Sequence, residues 1–69
     1  MDPEIRNEFR QAVAYLNDAK YSDAIKLLKA VSGKTSKFSA PYINLGIAYA
    51  RINELEKAEQ NFKTQLEIS

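Results

Sequence analysis

The feature that most constrains this chain is a self-similarity at a period of 34 residues. Offsetting the sequence by that period pairs Ala14 with Ala48, Tyr15 with Tyr49, Ala24 with Ala58 and Lys29 with Lys63. It also pairs Ala12 with Gly46, Val13 with Ile47, Phe9 with Ile43 and Leu28 with Phe62. The agreement falls on small and apolar positions, as expected of two copies of one packing unit whose surfaces have diverged. Two copies nearly fill a chain of 69 residues, so the reading is one domain over residues 1–69, with repeat one at 5–38 and a truncated repeat two at 39–69.

Within each copy the apolar residues recur at three and four positions. Ile5, Phe9, Ala12, Val13 and Leu16 form one stripe, and Tyr21, Ala24, Ile25, Leu28 and Val31 a second. The other copy gives Tyr42, Leu45, Gly46, Tyr49 and Ile52, then Leu55, Ala58, Phe62 and Leu66. That period is helical, and no useful length alternates with period two. The expectation is an all-α fold of four helices in tandem antiparallel hairpins, near 3–18, 21–32, 40–52 and 54–67. Punctuation supports it. Asp2-Pro3-Glu4 and Ser39-Ala40-Pro41 read as helix starts, Asn53 with Glu56 as a capping box opening the fourth helix, and Gly33 as the stop of the second. Ala12, Ala24, Gly46 and Ala58 are the small residues expected where the helices of each hairpin cross, since larger side chains push axes beyond about 8–10 Å. Tyr15, Leu28, Tyr49 and Phe62 read as core.

Composition narrows function mainly by exclusion. The chain has neither Cys nor His. This removes disulfides, thiol nucleophiles, serine–histidine pairs and zinc sites built from those ligands. The acids are scattered over exposed helix faces, and no glycine-rich phosphate loop occurs, so neither catalysis nor a cofactor is expected. The net charge is +1, although residues 20–37 carry Lys20, Lys26, Lys29, Lys34 and Lys37 against Asp23 alone. A nucleic-acid binder more typically shows a domain-wide basic excess, so these lysines read as a solvated face and no nucleic-acid partner is expected. No run approaches the roughly 20 apolar residues of a membrane span, and Met1–Arg10 lacks a signal-peptide core. A soluble chain follows, with the cytoplasm as the default compartment.

Asn44-Leu45-Gly46 followed by Tyr49, Ala58 and Phe62, with Tyr42 where Trp is commonest, resembles the tetratricopeptide repeat (TPR) signature in order and spacing. The first copy matches at Ala12, Tyr15, Tyr21, Ala24, Leu28 and Val31. It departs at Glu8 and Gln11, where the family places large apolar residues, as in a leading repeat whose outer face meets solvent. The resemblance implies a right-handed superhelix, a protein- or peptide-binding scaffold, and a concave face lined by the first helix of each hairpin. That face would carry Arg6, Phe9, Arg10, Val13, Asn17, Ile43, Asn44, Ile47 and Arg51. Phe9, Val13, Ile43 and Ile47 would either hold an apolar side chain or pack between hairpins, and the polar members would hydrogen-bond a backbone or carboxylate. The clamp by which some members hold a chaperone's terminal carboxylate is not expected, because Phe9 and Val13 stand where it needs Lys and Asn, and only Asn44 matches.

Repeat arrays usually need about three copies for stability. The second copy ends at Leu66-Glu67-Ile68-Ser69, without a closing Pro or solvating helix, so the parent protein is expected to continue beyond Ser69. For the isolated chain, self-association as a dimer is expected through the fourth helix. Leu55, Phe62 and Leu66 would turn toward their own hairpin partner while Ile68 and its flank await cover. Either an end-to-end contact or a helix exchange would serve.

Overall fold

The computed structural model describes residues 2–35 and 37–68. Met1, Ser36 and Ser69 lie outside the described residues. Four helices follow in order: α1 (Pro3–Asn17), α2 (Tyr21–Lys34), α3 (Ala40–Arg51) and α4 (Leu55–Ile68). Among the described residues there is no strand. The fold is all-α, and its helices form two antiparallel hairpins, α1–α2 and α3–α4, joined by α2 packing on α3. The extents of 32 × 28 × 14 Å describe a slab little deeper than one helix, about 10–12 Å with side chains. In such a slab the inner helices α2 and α3 are covered on two sides, while α1 and α4 form the ends. Among the described helices α4 touches α3 alone.

The helix starts follow local chemistry. Asp2 Oδ1 accepts a hydrogen bond from the Glu4 amide at 2.7 Å, with Pro3 at the first helical position, and so satisfies one of the orphan donors of α1. Ser39 precedes α3, but its side chain caps no amide; it sits in the right-handed helical region and only its carbonyl serves, accepting from Tyr42 at 3.0 Å.

The two hairpin turns are built alike. Ala19 (φ 61°) and Asn53 (φ 65°), 34 residues apart, are the positive-φ residues other than glycine. After each, an amide reaches back five residues, Lys20 to the Tyr15 carbonyl and Glu54 to the Tyr49 carbonyl, both at 2.8 Å. Ala19 bonds Leu16, and Asn53 bonds Ala50, both at 3.1 Å. These are Schellman closures, which use a left-handed residue to satisfy the last carbonyls of a helix. Asn53 is therefore the terminator of α3. The expected capping box is corrected: the Glu54 carbonyl accepts the Ala58 amide at 3.0 Å, so Glu54, one residue later, stands at the start of α4. Gly33 is corrected as well. It lies inside α2 without positive φ, and the helix ends at Lys34 with Thr35 extended beyond it.

The small residues expected at the crossings are buried: Ala12 and Ala24 at 0% exposure and Ala58 at 4%. With Leu28, Leu45 and Tyr49 they form one core cluster, which Tyr15 flanks half-buried. Gly46 is a special case. A Cβ built there would collide with the Phe62 ring, so the ring of α4 rests directly on the backbone of α3. Phe62 itself remains 39% exposed. It is thus a boundary residue and not the core residue expected, because among the described helices α4 packs on α3 and no other.

Candidate functional site

The first helices of the two hairpins lie on one side of the slab, and a cleft of about 380 Å³ opens along them. Val13, Leu16 and Asn17 line it from α1, Tyr21 from the first turn of α2, and Asn44, Ile47 and Arg51 from α3. Val13 and Ile47 are related by the repeat, as are Asn17 and Arg51, so α1 and α3 present equivalent rows side by side. Val13 and Ile47 are half-buried, while Asn17 and Arg51 reach into solvent. One N–H of the Asn44 amide donates to the Ala40 carbonyl at 3.0 Å. Its carbonyl oxygen and second N–H remain for a ligand. No carboxylate lines the cleft, and Arg51 is its cation. The surface is therefore suited to an apolar side chain accompanied by hydrogen-bond acceptors or a negative charge.

Five of the nine residues expected at a partner-binding face line the cleft together: Val13, Asn17, Asn44, Ile47 and Arg51. The other four do not. Arg6 and Arg10 are exposed along α1, and Ile43, 37% exposed, lies outside the lining. Phe9 has a different job. Its ring meets Phe38 of the α2–α3 linker edge-on, centroids 5.1 Å apart at 66°, a preferred aromatic geometry. It packs against the core, so it is assigned to holding the linker and not to a ligand. Leu16 and Tyr21 complete the cleft unexpectedly. Tyr21 is brought in by the turn at Ala19, which no spacing rule for helices reveals.

A second, more open cleft sits at the opposite end of α1, lined by Asp2, Ile5, Lys34, Thr35, Lys37 and Phe38. Beside it Lys34 Nζ pairs with Glu8 Oε1 at 2.6 Å across the first hairpin. The hydrogen bond from its ammonium to this carboxylate holds Lys34 above the usual lysine value. Through that pair Glu8 reaches along the surface to the end of α2. The five lysines of residues 20–37 are all exposed.

The self-association residues are also placed differently. Leu55 and Leu66 are 61% and 70% exposed, and between them Phe62, whose ring rests on Gly46 of α3, keeps an exposed edge. Ile68, expected on the open flank, is half-buried. The reason is angular: at about 100° per residue Leu55, Phe62 and Leu66 share one line on α4, roughly a sixth of a turn from the buried Ala58, with Phe62 nearest it and Leu66 farthest. Among the described residues, no group of three His, Cys, Asp or Glu could hold a metal ion, and no helix is long and apolar enough to cross a membrane.

No family model, curated protein or solved structure matches this chain. Its function is read from its own geometry.

Proposed function

We propose that the chain is a tandem pair of TPR-type repeats and serves as a protein-interaction module, holding a segment of a partner protein in the cleft between α1 and α3. The observation that carries this reading is the cleft itself. Two hairpins in the same register set Val13 beside Ile47 as an apolar floor, with Asn17, Asn44 and Arg51 along its edge. A volume of about 380 Å³ suits one or two side chains of a docked segment, and concave, mostly preformed sites of about 300–1,000 Å³ are the usual ligand sites of proteins. The segment is extended or helical, with an apolar side chain near a carboxylate or free backbone carbonyl that Arg51 can engage. A lining with no acid, His or Cys supports binding over catalysis.

A purely structural module, self-associating without a peptide ligand, is the second reading, favoured by the exposed apolar face of α4. The two readings separate in one experiment. Peptides selected from a random displayed library are titrated into the ¹⁵N-labelled chain. The binding reading expects shift changes at Val13, Asn17, Asn44, Ile47 and Arg51, and Arg51→Ala to weaken binding with an unchanged melt. Shift changes confined to α2 and α4, or no selectable peptide, would sink it.

A further inference from the structure

We infer that two copies of this chain pair through α4, antiparallel about a two-fold axis, on a face separate from the cleft. The starting point is how α2 and α4 differ at repeat-related positions. α2, covered on two sides, buries Leu28 fully and half-buries Tyr21, Ile25 and Ser32. At the same positions α4 exposes Phe62, Leu55, Glu59 and Leu66. The apolar line on α4 is therefore left more open than the same line on α2, which lies between two neighbouring helices.

A second copy has two ways to supply such cover. Head-to-tail stacking would present α1 to α4 as α3 is presented to α2. On α3 the residues buried away from Gly46 and α4 are Pro41, Leu45 and Ala48. Their counterparts on α1 are Asn7, Gln11 and Ala14, all exposed. That polar face does not match Leu55, Phe62 and Leu66. The molecule has one polar end and one apolar end, so an open stack is disfavoured and a closed, self-complementary pairing of apolar ends is favoured.

Charge selects the orientation. Glu59 sits beside the apolar line and Lys63 one turn further, paired with it at 3.0 Å on the solvent side. In a parallel pair, the flank carrying Glu59 and Lys63 would meet the opposite flank of the other copy, which carries Ala58 and Gln65, and no ion pair would cross the seam. In an antiparallel pair, Leu55 faces Leu66 of the second copy, and each Glu59 lies by the other copy's Lys63, while the helix dipoles oppose. α4 has 14 residues and spans about 21 Å. Such a seam is smaller than the roughly 1,200 Å² of persistent interfaces, so the dimer is concentration-dependent.

Sedimentation equilibrium over a concentration series tests this on the intact chain. Wild type shifts from monomer to dimer and no further. Leu66→Glu weakens dimerisation about tenfold or more, since the two-fold axis makes each substitution remove a Leu55–Leu66 contact at both ends of the seam. Ala14→Glu on α1 and Arg51→Ala in the cleft leave it unchanged. Circular dichroism of dilute samples checks folding, and at 70% exposure Leu66 has few native contacts to lose. In a mixed-isotope sample, intermolecular NOEs join Leu55 to Leu66. A chain monomeric at its highest concentration, dimerisation untouched by Leu66→Glu, association blocked by Ala14→Glu, or NOEs joining Leu66 to Leu66 would each overturn the inference.

Discussion

The two hairpins are one packing unit carried out twice, and they differ most where one has a neighbour and the other has none. Both turn through a left-handed residue with the same hydrogen bonds. Both cross on a small residue opposed by a large one, but the volumes are divided differently: Ala12 with Leu28 in the first, Gly46 with Phe62 in the second. One methyl less on α3 admits a ring in place of an isobutyl group. Cover then decides what each large residue contributes, since Leu28 is fully buried and Phe62 is 39% exposed. The same unit is thus a core in one context and a rim in the other.

The largest expected effect tests that contrast directly. Leu28→Ala removes a buried aliphatic side chain and costs about 2–5 kcal/mol, enough to unfold much of a domain whose core supplies only about 3–5 kcal/mol. Phe62→Ala, though it deletes more atoms, costs less, because much of that ring is already in water. Thermal melts of the two variants at equal dilute concentration check the order, and a larger loss for Phe62→Ala would break the comparison.

Exchanging the division of volume sharpens it further. Gly46→Ala places a methyl into the Phe62 ring and lowers stability in the wild type. In a Phe62→Leu background, which reproduces the pairing of the first hairpin, the same change becomes favourable by up to about 1 kcal/mol through helix propensity. A double-mutant cycle by chemical denaturation should show coupling within about 0.5–3 kcal/mol, and simple additivity would contradict the contact.

The turns predict a smaller difference. Ala19 holds a φ of 61° with a Cβ to accommodate, a conformation costing L-residues roughly 1–2 kcal/mol. Ala19→Gly therefore raises stability by about 1 kcal/mol, and Asn53→Gly raises it less, since Asn tolerates this region. Equal gains at both turns, read from denaturation midpoints, would be inconsistent with this view.

The ion pair unique to the first hairpin gives the smallest effect. Lys34 is raised chiefly by its hydrogen bond to Glu8. A raised lysine stabilises fully below its unfolded pKa, about 10.4, and the contribution is lost as pH rises through the folded value. Glu8→Gln should therefore lower stability slightly at neutral pH and low salt. The difference from wild type should vanish in strongly alkaline solution and shrink with salt, as melts across pH would show.

How far the sequence revealed this molecule depends on whether a feature is periodic. The four helices were legible because Ala12, Ala24 and Ala58 with the large residues around them repeat at helical spacing. Val13, Asn17, Asn44, Ile47 and Arg51 line one cleft, on a face that the resemblance to the tetratricopeptide repeat implies and that the apolar spacing alone does not mark out. Gly33 misled because a glycine stops a helix only where the backbone turns left-handed, and here Ala19 and Asn53 make that turn. Asn53 was assigned to the wrong helix because the side chains that suit an N-cap also suit a left-handed terminator. Phe9 and Tyr21 needed tertiary knowledge: Phe9 is taken up by Phe38 in an irregular linker, and Tyr21 is swung into the cleft by a turn. The outward set of Leu55 and Leu66 was hidden because a single apolar stripe does not say which neighbour it meets.

The most direct test of the account is residue-resolved native-state hydrogen exchange on the dilute, monomeric chain, comparing repeat-related amides in α2 and α4. Local opening should be easiest where cover is missing. The account predicts that Ala58, Phe62 and Gln65 exchange faster than Ala24, Leu28 and Val31, and that α4 exchanges through a partial opening that leaves α2 closed. Equal protection in the two helices, or greater protection in α4, would contradict the claim that cover is what distinguishes two copies of one unit.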